Sequence, residues 1–318
     1  MKVGIIGGGI VGLSSAYYLN KAGHQVTLID QSDLKDGCSF GNAGMIVPSH
    51  IIPLASPGMI SKGIRWMFNS TSPFYVKPRL SGDLMKWGWH FYRHSTKAHV
   101  ERAAPALREL SLMSKAMYQQ LAAELPFDFG FHERGLLMLY QKKETEHEER
   151  EAAAFANKLG IEARVLSAAQ VQALEPDIRV TVRGGVYYPG DAHITPQALV
   201  GQWIPFLEKN GVVIQPSTRV TGFIAEAGKI KSVTTNKGDF TFDEVVIASG
   251  SWSGEVANKL GIYLPMQAGK GYSFTIDEVE KKFTDTLHLS GSTCCRYTHG
   301  QFVALWRNHG DHRNRSRC

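Results

Sequence analysis

The chain has 318 residues, 43% apolar and 20% charged, which suits one large or two medium domains and excludes general disorder. Of the net charge of +6, residues 288–318 carry +4 through five Arg and one Asp, so the body gives no basis for nucleic-acid binding. No run of 18 apolar residues suggests a membrane span, and Cys38, Cys294, Cys295 and Cys318 lack C-x-x-C spacing, against a disulfide framework or a metal site.

The N-terminus passes from Lys2 straight into apolar residues and glycines, with no cleavage-site pattern, so a cytoplasmic chain is expected. Lys2–Ile6 reads as a short buried strand. Gly7-Gly8-Gly9-Ile10-Val11-Gly12 follows as G-x-G-x-x-G, and Leu13–Lys21 reads as a helix that Gly23 stops. Gln25–Ile29 is a second strand, closed by Asp30 and Gln31. A strand, a glycine turn, a helix and a terminal acid together predict a dinucleotide site. Gly7 permits the tight turn, Gly9 the approach of a pyrophosphate, and Gly12 close helix–strand packing. The helix N-terminus offers free N–H groups and partial positive charge. Asp30 suits a ribose diol. NAD and FAD both remain open at this point.

Residues 36–58 form a loop of small residues containing Ser39, Asn42, Ala43, Gly44, Met45 and His50. From Lys62 to Lys97 the chain turns aromatic and basic. Trp66, Phe68, Phe74, Tyr75, Trp87, Trp89, Phe91 and Tyr92 are interleaved with Lys62, Arg65, Lys77, Arg79, Lys86, Arg93 and Lys97, against the single acid Asp83. Inward packing is the preferred reading of such a stripe. A patch resting on an anionic membrane surface is the alternative.

Helical spacing covers Glu101–Leu125, and GLLMLY before Gln141 reads as a strand. The run KKETEHEERE within Lys142–Leu159 is a solvated helix face with no catalytic role. Ser167–Ile178 suggests a short helix ending at Glu-Pro. A strand over Gly185–Tyr188 turns at Pro189-Gly190, and Pro196 opens the next helix. Asn210–Val220 reads as a buried strand. Gly222–Glu226 and Lys229–Thr235 form an antiparallel pair. Phe240–Trp252 is an apolar strand ending in Ala248-Ser249-Gly250, and Pro265–Ile276 is a further strand.

The pattern S-x-x-N-A-G-M-I-x-P-S-H-x-x-P-L-A-x-P-G over Ser39–Gly58 resembles the flavin-binding loop of the D-amino-acid oxidase-like flavoproteins, in particular the small subunits of bacterial D-amino-acid dehydrogenases. The resemblance runs to about residue 287 and implies FAD. It implies an α/β fold in which an FAD-binding Rossmann-like domain (1–50 and 191–262) is interleaved with an α+β substrate domain (51–190 and 263–287). By the same likeness, Val220 places backbone against the adenine, and Ser249, Gly250 and Trp252 lie beside the flavin. The implied reaction is oxidative deamination of a D-amino acid by hydride transfer from Cα to flavin N5, with electrons passing to an acceptor such as a quinone. His50 is the polar candidate near the flavin. No Ser/His/Asp or Cys/His arrangement is visible, and no metal is expected. A peripheral place on the inner membrane face is compatible with the basic aromatic stretch.

Beyond Thr286 the chain loses Lys and Glu and gains Arg, His and Cys. Dropping one base before His288 lets the tail be read as a likeness of the family's next strands. A frame break is therefore expected, with 288–318 as a disordered tail lacking strand alternation. Two alternatives stay open: an amine oxidase acting on glycine, sarcosine or a hydroxyproline isomer, and a flavin-binding fragment without turnover.

Overall fold

The β-branched run of β1 (Lys2–Ile6) buries four of its five residues at the middle of a parallel sheet. The computed structural model describes residues 1–35, 37–67, 81–176 and 179–269, and strand segments 273–276, 286–289, 295–296 and 303–306. In chain order β1 is followed by α1 (Ile10–Lys21), β2 (Gln25–Ile29), β3 (Met45–Ile46), α2 (Met59–Met67), α3 (Gly82–His94) and α4 (Lys97–Glu124). Next come β4 (Leu136–Tyr140), α5 (Lys143–Lys158), β5 (Arg164–Ser167), α6 (Ala168–Leu174), β6 (Gly184–Tyr188), β7 (Ala192–His193) and α7 (Pro196–Lys209). The remaining elements are β8 (Val213–Gln215), β9 (Val220–Glu226), β10 (Lys229–Thr235), β11 (Gly238–Phe240), β12 (Glu244–Ile247), α8 (Ser253–Asn258), β13 (Ser273–Ile276), β14 (Thr286–Leu289), β15 (Cys295–Arg296) and β16 (Val303–Trp306).

The chain divides into two compact units, Met1–Asn42 with Pro196–Lys270, and Ala43–Thr195 with Gly271–Cys318. The crossings between them come after Asn42 and Thr195, and β3 and β7 pair antiparallel inside the second unit. In the first unit the parallel sheet has the order β12-β1-β2-β8, and β9, β10 and β11 make the antiparallel meander. Its core joins Ile6, Ile29, Val220, Val233 and Val256. The expected long buried strand over Asn210–Val220 is corrected to the three residues of β8, whose Val213 is exposed. Pro216 follows β8 and Ser217 adopts a left-handed φ of 52°, so the chain turns before β9. The expected strand over Phe240–Trp252 is split between the meander and β12 in the parallel sheet.

The second unit is built on a five-stranded sheet of order β15-β14-β4-β6-β5. All five residues of β4 are buried, and the small faces of Ala153 and Ala156 on α5 belong to the same core as Leu136, Met138 and Tyr140. The acidic face of α5 stays in solvent, as its charge run suggests. The helix read from Glu101 begins at Lys97, because the Thr96 hydroxyl accepts the His99 N–H at 3.2 Å and caps it.

One further expectation is corrected. Among the described residues of the aromatic stretch, α3 has no buried residue, and Met85, Trp89 and Tyr92 are exposed. Helical periodicity fixes which side chains share a face but not whether a partner covers it. Phe68, Phe74, Tyr75, Lys77 and Arg79, and the side chains of Arg65 and Trp66, lie outside the described residues. The described segments near the C-terminus are short strands: β14 runs parallel to β4, β15 pairs with β14, and β16 pairs with β13. The apolar run over 303–306 coincides with β16.

Candidate functional site

Strand β1 delivers the glycine loop to the start of α1. Gly7 has φ +110°, and a Cβ on it would lie 2.4 Å from the Ala248 carbonyl oxygen. A Cβ on Gly12 would lie 1.8 Å from the Gly7 carbonyl oxygen. At Gly8 the clash is with the flexible Leu34 side chain at 1.8 Å. A Cβ on Gly9 meets only the Ser39 hydroxyl, at 3.1 Å, so the space before Gly9 is open. Ser39 Oγ accepts the Ile10 N–H at 2.8 Å. The N–H groups of Val11 and Gly12 have no acceptor within the helix. Val11 is 63% exposed, so this helix end is accessible. Open backbone, first-turn N–H groups and a helix dipole together fit the diphosphate of a dinucleotide.

Asp30 does more than terminate β2. Its Oδ2 accepts the Gly8 N–H at 2.6 Å, and its Oδ1 accepts the Ser32 N–H at 2.7 Å and the Ser32 hydroxyl at 2.8 Å. The carboxylate therefore braces the glycine loop, and its remaining lone pairs suit a ribose diol. We expect Asp30→Ala to weaken flavin binding by about 1–3 kcal/mol, the range for hydrogen bonds to a charged group. Fluorescence titration of the apoprotein with FAD gives the dissociation constant; an unchanged value removes Asp30 from the site.

The other sequence-derived positions fall on both units. In the first, Gln31 is exposed, and Asn42 Nδ2 donates to the carbonyls of Cys38 and Ser39 at 3.0 Å each, closing the loop. The Val220 side chain is core, so only its backbone is left to meet a ligand. Ser249 Oγ donates to the Ile6 carbonyl at 2.9 Å, which holds the end of β12 beside Gly7. Gly250 has φ +52° and Trp252 is 51% exposed. In the second unit Ala43 is buried, the Gly44 carbonyl accepts the Ile194 N–H at 2.8 Å, and Met45 lies opposite His193 across β3 and β7.

His50 has partners that the sequence did not disclose. Pro48 and Ser49 form a turn closed by the His50 N–H donating to the Val47 carbonyl at 3.1 Å. Ser49 N–H donates to Asp191 Oδ1 at 3.0 Å, and Ser49 Oγ donates to Asp191 Oδ2 at 2.5 Å. Ser49 Oγ also lies 3.2 Å from His50 Nδ1. The absence of a Ser/His/Asp arrangement is therefore corrected: pairing of β3 with β7 joins residues 142 apart in sequence. Asp191 is fully buried. Burial pushes its carboxyl up to about 7, opposed by the Ser49 bonds and the Lys115 charge. This raised pKa stabilises the fold at acid pH and loses that contribution as pH rises from about 4 through about 7. Desolvation of the His50 ring by the surrounding protein lowers its pKa. Among the described residues no cluster of metal ligands occurs, and no helix is long and apolar enough to cross a membrane.

The parallel sheet, the glycine turn and the meander define a dinucleotide-binding fold. The structure is similar to glycine oxidase from Bacillus cereus ATCC 14579, with a TM-score of 0.67 and 21% identity over 97% of this chain and 72% of that one. L-alpha-glycerophosphate oxidase from Mycoplasma pneumoniae with FAD bound gives a TM-score of 0.59 and 18% identity, over 96% and 72%. These likenesses concern the fold. The FAD dependent oxidoreductase (DAO) family matches residues 2–311, and the chain belongs to it. The match passes residue 287, where the likeness was expected to stop. Curated relatives include the D-amino acid dehydrogenases of Neisseria meningitidis serogroup C / serotype 2a, 31% identical over 87% of this chain and 67% of the relative, and of Granulibacter bethesdensis, 30% identical over 92% and 70%. The chain spans about two thirds of the length of these relatives.

Proposed function

We propose that this FAD-dependent oxidoreductase carries out oxidative deamination of D-amino acids and passes the electrons to an acceptor such as a quinone. The observation that carries this reading is the open, Asp30-braced glycine cradle within a chain that aligns to D-amino acid dehydrogenases over 87% of its length. Gly7 to Gly12 would hold the diphosphate of FAD, and Asp30 with Gln31 the ribose. Val220 backbone would meet the adenine. Ser39, Asn42, Ala43, Gly44, Met45, Ser249, Gly250 and Trp252 are the further residues assigned to FAD. Bound FAD supplies the two-electron acceptor for the hydride that leaves the substrate Cα. The protein orients the substrate and excludes water. The test is anaerobic mixing of the flavin-loaded protein with D-alanine, glycine or sarcosine. Bleaching by D-alanine supports the reading, bleaching only by glycine or sarcosine redirects it, and none with any amine leaves a flavin-binding protein without turnover.

We further propose that α3 rests on the inner face of an anionic membrane. Met85, Trp89 and Tyr92 recur at i, i+4 and i+7, are 68%, 59% and 59% exposed, and are flanked by Lys86 and Arg93. The Trp89 and Tyr92 rings stack at 6.0 Å. Trp89→Ser is expected to cut co-sedimentation with phosphatidylglycerol vesicles several-fold, while phosphatidylcholine vesicles bind little of either protein. Equal sedimentation of variant and parent would refute this placement.

A further inference from the structure

We propose that Asp191, acting through Ser49, is a positioning residue that fixes His50 as the Nδ1–H tautomer, so that His50 Nε2 accepts a proton from the substrate α-ammonium. This rests on the amine-oxidising reading above and adds an acid–base step to it.

Ser49 has one hydroxyl proton to place. Asp191 Oδ2 lies 2.5 Å from that hydroxyl, and an ionised carboxylate can only accept. The proton therefore lies between Ser49 and Asp191. The contact at 3.2 Å between Ser49 Oγ and His50 Nδ1 must then be donated by the ring. With Nδ1 protonated in a neutral ring, Nε2 holds a lone pair. Nδ1 is tied back to the buried serine, which leaves Nε2 as the ring nitrogen free of that hydrogen-bond chain. Desolvation keeps the ring neutral and its lone pair available at neutral pH.

The step balances simply. One N–H bond of the substrate ammonium breaks and leaves its electron pair on nitrogen. The proton goes to Nε2, giving an imidazolium with both nitrogens protonated. The free amine can then push electron density toward Cα as the hydride departs. The imidazolium is stabilised through Ser49 by the Asp191 carboxylate.

The groups around Asp191 are Ser49 on the loop after β3, Lys115 on α4 and Tyr188 on β6. Lys115 is itself paired with Glu133 at 2.7 Å. Tyr188 is held protonated by burial. The carboxyl of Asp191, which titrates near neutrality, is therefore the member that switches the chain. Protonated on Oδ2, it would donate to Ser49, and Ser49 would donate to His50 Nδ1, moving the ring proton to Nε2 and closing the base.

Asp191→Asn imitates that closed state permanently. The Ser49 N–H still demands an acceptor, which places the new amide oxygen there and its NH2 group against Ser49 Oγ. The same inversion of a histidine tautomer by Asp→Asn costs a serine protease about 10⁴ in kcat. Here the expected loss in kcat/KM for D-alanine is about 10²-fold, within the range for a positioned general base. The rise of kcat/KM through about pH 7 should vanish, while FAD content stays at the parent level. Ser49→Ala should lose activity similarly, and Ser49→Thr should restore most of it.

The decisive readout needs no turnover. ¹⁵N spectra of histidine-labelled protein should show His50 protonated at Nδ1 in the parent above pH 8, and at Nε2 in Asp191→Asn. A parent ring protonated at Nε2, or a ring unchanged in the variant, overturns the positioning role even if the enzyme is active. If Asp191→Asn does not fold, the parent spectrum and the loss of a single tautomer in Ser49→Ala decide instead. A parent with the expected tautomer but no bleaching by any amine overturns the functional reading and leaves the hydrogen-bond chain standing. Full activity and an unaltered pH profile in Asp191→Asn would overturn the proton-transfer step.

Discussion

Gly12→Val is expected to yield protein without bound flavin. The first Cβ atom alone would lie 1.8 Å from the Gly7 carbonyl oxygen and 2.9 Å from its carbon, with Ile5 Cγ2 behind at 3.6 Å. The obstacle is backbone, which cannot rotate away, so α1 must move off β1. That displaces the first-turn N–H groups from any diphosphate. Overpacking of this kind costs about 1–3 kcal/mol or more in stability, and the flavin loss should be complete by absorbance of the purified protein. Gly9→Val separates the two effects. Its Cβ meets only the Ser39 hydroxyl at 3.1 Å, so the fold should hold while flavin is still excluded. Gly201→Ala, in α7 where an added Cβ meets nothing within 4 Å, is the control and should keep its flavin. Parental flavin content in both Gly9→Val and Gly12→Val would mean that the cofactor binds elsewhere.

Trp203→Ala is expected to cost about 3–5 kcal/mol, the usual range for emptying a large aromatic site. Trp203 is fully buried on α7, and its ring lies edge-on to Tyr17 of α1, with centroids 6.0 Å apart. Against a typical total of about 5–15 kcal/mol, that loss removes a large share of the stability. Its indole nitrogen is buried with no hydrogen-bond partner among the described residues. Trp203→Phe should therefore cost much less than the alanine variant, since it removes volume but no hydrogen bond. Equilibrium denaturation of the three proteins checks the order. An alanine variant within about 1 kcal/mol of the parent would show that the helix pair does not depend on this contact.

The glycine loop was legible because each of its positions answers a separate steric demand. Gly7, Gly9 and Gly12 could be assigned roles from spacing alone, and the distances at Gly7 and Gly12 match the turn and the packing they were assigned. Asp30 was legible as an acid at a strand end, but its bond to the Gly8 N–H was not, because a motif does not say which lone pairs are already in use. Ser49 and Asp191 gave no signal. A serine in a Pro-Ser-His turn and an aspartate in a Gly-Asp-Ala turn are ordinary loop residues until β3 and β7 pair. The exposed face of α3 was misread for a related reason: periodicity in Met85, Trp89 and Tyr92 is the same whether the stripe meets a core, a lipid or water.

The position of β1 between β2 and β12 bears on how the molecule is made. Its pairing with β2 joins residues such as Val3 and Val26, which leave the ribosome close together. Its pairing with β12 joins Val3 to Glu244. Until that late strand emerges, one edge of β1 stays open, and Ala248, which packs against Gly7, is missing. The dinucleotide cradle is thus begun at β1 and β2 and completed only after the whole intervening stretch between β2 and β12 has been translated. Such long-range closure is slow, and open strand edges invite association between chains. Free flavin present during synthesis would meet a finished cradle only once β12 has emerged, so cofactor supply should act on this protein after that closure and not before it.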